Sequence, residues 1–194
     1  MRLFNTLSSL LNLGSARGLA RRYFVVNGFD GALTMLGLAT GFYIGDQTSP
    51  AIMLDACLGA AVALFMSGSS SAYISEAAEK RRELSQLEQS MLVNLDDTKH
   101  GDAARKTPVI IAAVNGLSPL LISLLIITPL FIARAGWMAA SFALPTMIML
   151  ALLLIFALGV FLGNISGRFW LYAGMRALGI AVLTIALIYL LKLW

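Results

Sequence analysis

Apolar and polar positions along this chain separate into long blocks. Apolar runs at Tyr23–Gly45, Ala51–Ile74, Pro108–Ala133, Met138–Gly163 and Trp170–Leu191 alternate with polar links. Each run is near or above the ~20 residues an α-helix needs to cross a bilayer. The pattern predicts an all-α, polytopic membrane protein with five transmembrane helices. The links "DQTSP", "RAGW" and "NISGR" are short, so spans one and two, three and four, and four and five are expected to be antiparallel neighbours.

Residues 1–22 read differently. Leu3, Phe4, Leu7, Leu10 and Leu11 recur at helical spacing, but Asn5, Thr6, Ser8, Ser9 and Asn12 interrupt them. A cleaved signal peptide has a uniformly apolar central region. The interrupted pattern favours an amphipathic helix lying in the membrane interface. The expected organisation is therefore an interfacial helix over 1–22, spans one and two over 23–74, an acidic helical segment over 75–107, and spans three to five over 108–194.

Composition agrees. The chain is 59% apolar and 12% charged, about half the charged share of an ordinary soluble domain. The single Cys57 excludes a disulfide framework. A pI near 9.5 would raise nucleic acid as a partner in a soluble protein; here the basic residues report orientation, and no nucleic acid is expected. Arg2, Arg17, Arg21, Arg22, Lys80, Arg81, Arg82, Lys99, Arg105, Lys106 and Arg168 fall on one set of flanks, with only Arg134 and Lys192 on the other. The positive-inside rule puts the N-terminus and the acidic segment in the cytoplasm and the C-terminus on the opposite side of a cell or vacuolar membrane. Arg176, about a turn and a half into the fifth span, can snorkel to the cytoplasmic face.

Small residues at spacing four form stripes: Gly37, Gly41 and Gly45; Gly59, Ala63, Ser67, Ser71 and Ser75; Gly159, Gly163 and Gly167. Close backbone approach is how helices associate in lipid, so these read as packing faces within a bundle or a dimer. No Gly-rich phosphate loop with its lysine occurs, and no nucleophile–base constellation. Neither an enzyme nor a bound cofactor is expected.

One charge stands at depth. In "NGFDGALTMLGLATGFYIG", Asp30 lies eight residues past Arg22, about 12 Å along a helix. An ionised carboxylate there costs roughly 2.5–3.5 kcal/mol, and such groups usually mark ion or proton pathways. Asn27 and Thr34 share its face one turn away, and Gly28 and Gly31 read as a wet, unhindered surround. The alternative is a structural pairing with Asn115 or Asn164. Asp55, five residues after Pro50, reads as solvated near the outer surface.

Span two offers the Met66 thioether and the hydroxyls of Ser67, Ser69, Ser70 and Ser71, then continues as a charged helix. Carboxylates suit harder ions such as Mn²⁺ and a thioether suits softer ones. Glu76, Glu79 and Glu83, at spacings three and four, can chelate a divalent cation. The competing reading is ordinary helix ion pairs, Glu76–Lys80 and Glu79–Arg82. The candidate metal ligands are thus Asp30, Asn27, Met66, Glu76, Glu79 and Glu83. Leu84, Leu87, Met91, Leu92 and Leu95 form an apolar stripe expected to pack, as in a dimer with its twin.

The first of these stretches, with the preceding "RRYFVV", resembles the first-helix signature of the vacuolar iron transporter family, an "NDG…GL…G" pattern. The end of span two is similar to that family's "SM-x-x-GEY-x-S", with Ser67, Tyr73 and Ser75 kept; Gly68 and Ala72 stand where the family has methionine and glutamate. The resemblance implies a homodimer that exports Fe²⁺ or Mn²⁺ from the cytosol against protons. It also implies that Asp30 lines the pathway and that Glu76, Glu79 and Glu83 gather metal. The other function the residues allow is a non-transporting membrane sensor or scaffold whose acidic helix binds metal.

Overall fold

A computed structural model describes residues 14–46, 49–165, 167 and 169–192. These residues form six helices and no strand: α1 (Gly14–Ile44), α2 (Pro50–Met91), α3 (Lys99–Ile126), α4 (Thr128–Arg134), α5 (Ala140–Ile165) and α6 (Trp170–Lys192). Four of them, α2, α3, α5 and α6, are long and apolar enough to cross a membrane. α1 is not among the four, because Asn27 and Asp30 dilute its apolar run. Large apolar side chains also face outward: Met149 on α5 is 71% exposed and Ile74 on α2 is 69% exposed. Water would penalise so much apolar surface, whereas acyl chains cover it. The protein is a membrane protein whose described residues form helices and no strand.

Helix boundaries differ from expectation in three places. Of the proposed interfacial helix, residues 1–13 lie outside the described residues, and 14–22 form the start of α1 with no break before the first apolar run. The third apolar run is two helices. Pro129, at the start of α4, has no N–H and its ring crowds the carbonyl four residues back. α3 therefore stops at Ile126, with Ile127 N–H still bonded to the Ser123 carbonyl at 3.0 Å. Lastly, the apolar stripe after span two outruns its helix. α2 ends at Met91, Leu92 takes a left-handed φ of 53° and is 90% exposed, and Leu95 is buried in the turn beyond.

That turn is closed by side chains. The Leu95 N–H donates to Glu88 Oε1 at 2.9 Å, and Asp96 N–H to Asn94 Oδ1 at 2.8 Å. Thr98 caps α3, its Oγ1 accepting from His100 N–H at 3.2 Å. Arg105 Nη2 reaches back to the Asp96 carbonyl at 2.6 Å.

The chain divides into two compact units. The first comprises the described residues up to Phe24 with Phe65–Leu117; in it Ala72, Ile111 and Ala112 pack with Ala20 and Tyr23. Here Asn115 Nδ2 donates to the Gly68 carbonyl at 2.6 Å, and a Cβ on Gly116 would meet the Phe65 carbonyl oxygen at 2.7 Å. The lack of a side chain thus lets α3 lie against α2. The second unit comprises Val25–Leu64 and the described residues from Ser118 onward. Its core includes Met35 and Leu36 of α1, Met53 and Leu54 of α2, and Met147 and Ile155 of α5. Gly159 and Gly163 of α5 face Ala177 and Ala173 of α6, so this glycine stripe is a packing seam. Gly41 faces open space, and Gly59, Ala63, Ser67, Ser71 and Ser75 of α2 are exposed.

Candidate functional site

In the second unit, α1 buries Val25, Gly28, Gly31, Ala32, Met35, Leu36 and Ala39. A Cβ on Gly31 would lie 2.8 Å from both the Cα and the carbonyl oxygen of Pro119, and one on Gly28 would lie 3.1 Å from Ser118 Oγ. These glycines are where α1 and α3 cross at backbone distance. They do not form the wet surround that their position beside Asp30 implied; small residues serve both ends, and packing takes them here.

Asp30 points the other way. It is exposed, and its carboxylate has no hydrogen bond or ion pair among the described residues. Thr34 turns its hydroxyl back to the Asp30 backbone carbonyl at 2.7 Å, so it does not serve the carboxylate. Asn27 is half-buried. Asn164 is exposed near the end of α5. Near the other end of the same unit, Asp55 stands 3.9 Å from Arg134 Nη1, with both side chains largely exposed.

The other candidates belong to the first unit, along α2. Met66 is 57% exposed. Ser70 donates to the Met66 carbonyl at 2.7 Å and Ser71 to the Gly68 carbonyl at 3.3 Å, so these two hydroxyls bond their own helix. Glu76, by contrast, is buried at 9% exposure and accepts a hydrogen bond from the Tyr23 hydroxyl at 3.1 Å on Oε1. Buried carboxylates need such partners. Glu79 is exposed, and Glu83 is held by Lys80 Nζ at 2.5 Å. The charge after Glu79 is therefore balanced by a lysine, through a pair different from the two offered by spacing. Among the described residues, no three His, Cys, Asp or Glu side chains gather closely enough to hold one metal ion.

Of the residues making these contacts, Tyr23 was not singled out from sequence; Lys80, expected to pair with Glu76, pairs with Glu83, and Asn115, offered as a partner for Asp30, donates to the Gly68 carbonyl. Tyr23 follows the Arg21–Arg22 pair at the start of the first apolar run, and Glu76 follows the end of the second. In an antiparallel pair of spans those positions share a depth, which is the signal that finds the contact.

The chain is 28% identical over 191 residues to an uncharacterized protein of Methanocaldococcus jannaschii, covering 94% of this chain and 95% of that one. No protein-family model matches the chain. No solved structure matches it.

Proposed function

We propose that the protein is a secondary transporter exporting divalent metal, Fe²⁺ or Mn²⁺, from the cytosol in exchange for protons. In this reading it is a five-span homodimer with a cytoplasmic N-terminus. The observation that carries the reading is the exposed Asp30 carboxylate, unpaired among the described residues of a helix whose neighbours on both sides in sequence are apolar. Facing lipid, such a charge is costly; facing a pathway between two copies, it has a use. A dehydrated cation would neutralise it, and a proton arriving at the carboxylate would displace the cation. The exposed small-residue stripe of α2, Gly59 to Ser75, supplies a surface on which a second copy can approach closely. The resemblance to vacuolar iron transporters in "NGFDG" supports the same reading.

The test is flux of Mn²⁺ or Fe²⁺ into proteoliposomes under an imposed pH gradient. Asp30→Asn is expected to abolish the flux while leaving the dimer intact in chemical cross-linking. Undiminished flux removes Asp30 from the mechanism.

A second reading, a membrane sensor or scaffold that binds metal without moving it, draws on α2. There Glu76 and Glu83 already have protein partners, Tyr23 and Lys80, leaving Glu79 as the freely hydrated acid of the three. Calorimetric Mn²⁺ binding that is lost in Glu79→Ala/Glu83→Ala, without flux in the wild type, selects this reading.

A further inference from the structure

A groove of about 530 Å³ lies in the second unit between α1, α5 and α6, within the roughly 300–1,000 Å³ of ordinary ligand sites. Phe29, Leu162 and Ile180 give it apolar walls. Gly159 and Gly163, packed against Ala177 and Ala173, lie along its floor, and Tyr172 and Arg176 of α6 stand in its lining. Among the described residues, Arg176 carries the sole formal charge of that lining. It is exposed and has no ion pair among the described residues. A cation on an apolar span calls for an anion or for water.

Its depth favours the anion of a lipid. α6 opens with Trp170, whose ring lies 6.0 Å from that of Phe169, and Tyr172 follows. Aromatic residues of this kind collect at the level of lipid headgroups. Arg176 is six residues on, about 9 Å along the helix, within reach of that level by its extended side chain. A soluble anion would gain nothing from the walls, whereas an acyl chain fills them while its phosphate meets the guanidinium. Basic pockets between transmembrane helices recognise headgroups in this way.

We propose that this groove binds one membrane lipid with an anionic phosphate headgroup, its acyl chain against Phe29, Leu162 and Ile180 and its headgroup on Arg176. The inference is independent of metal transport.

The test is native mass spectrometry of the full-length, detergent-solubilised protein titrated with phosphatidylglycerol or phosphatidylcholine. Wild type is expected to retain phosphatidylglycerol about fivefold better, the preference falling to none in Arg176→Gln and persisting in Arg176→Lys. Leu162→Trp, which fills the groove from an exposed position, is expected to lower retention of both lipids. Equal retention by the wild type, or a preference that survives Arg176→Gln, overturns the assignment. So does disulfide-linked dimer formation by Ile180→Cys with no lipid preference, which places a second copy in the groove.

Discussion

Gly31 of α1 and Pro119 of α3 meet backbone to backbone: a Cβ on the glycine would fall 2.8 Å from the proline's Cα. Neither partner is a flexible side-chain tip, so there is nothing to swing aside. Gly31→Ala is expected to destabilise the protein by about 1–3 kcal/mol, the usual cost of overpacking. Gly41→Ala, which meets nothing within 4 Å, should be neutral or stabilising by up to about 1 kcal/mol from helix propensity. Thermal unfolding in detergent, followed by circular dichroism, compares the two.

Asp30 should behave in the opposite way. Its carboxylate holds no other described group in place, so its removal costs no hydrogen bond. Asp30→Leu is expected to leave the unfolding temperature unchanged or raised, because a charge leaves an apolar surface. Coupled with lost flux, that result marks a residue kept for activity at the expense of stability. A marked fall in unfolding temperature would mean that the carboxylate is a structural anchor.

Tyr23→Phe leaves Glu76 Oε1 without the hydroxyl that approaches it at 3.1 Å. Since Glu76 is buried, the expected cost is about 1–3 kcal/mol. Glu76→Gln keeps an oxygen acceptor for Tyr23 and should cost less. If the two substitutions destabilise equally, the hydrogen bond is not what holds Glu76.

Asn115→Leu keeps the volume but withdraws the donor that reaches the Gly68 carbonyl at 2.6 Å. Interhelical hydrogen bonds of this kind contribute about 0.6–2 kcal/mol in membrane proteins. A loss within that range is expected in the same unfolding measurement, and none from Asn164→Leu, whose side chain is exposed.

The helical class and the four strongest membrane segments were legible because apolar runs of that length have few other uses. The Pro129 break was present in the sequence as well, inside a run whose uninterrupted hydrophobicity masked it. What stayed hidden were contacts between distant residues. Gly28 and Gly31 looked like room for a ligand until Ser118 and Pro119 were found opposite them. The carboxylates of Glu76 and Glu83 looked equivalent by spacing, yet one is buried on Tyr23 and the other sits on the surface with Lys80. Helical periodicity gives the face a residue occupies; it carries no information about which helix covers that face.

The reversal between α2 and α3 carries a consequence for sequence length. Glu88 is tied seven residues ahead to Leu95, and Arg105 nine residues back to Asp96. Adding one residue between Glu88 and Leu95 would put the first tie out of register, and adding one between Asp96 and Arg105 the second, with a turn of about 100° about the axis wherever the insertion falls inside a helix. Surface turns usually accept insertions and deletions; this one should accept neither, although most of its residues face solvent.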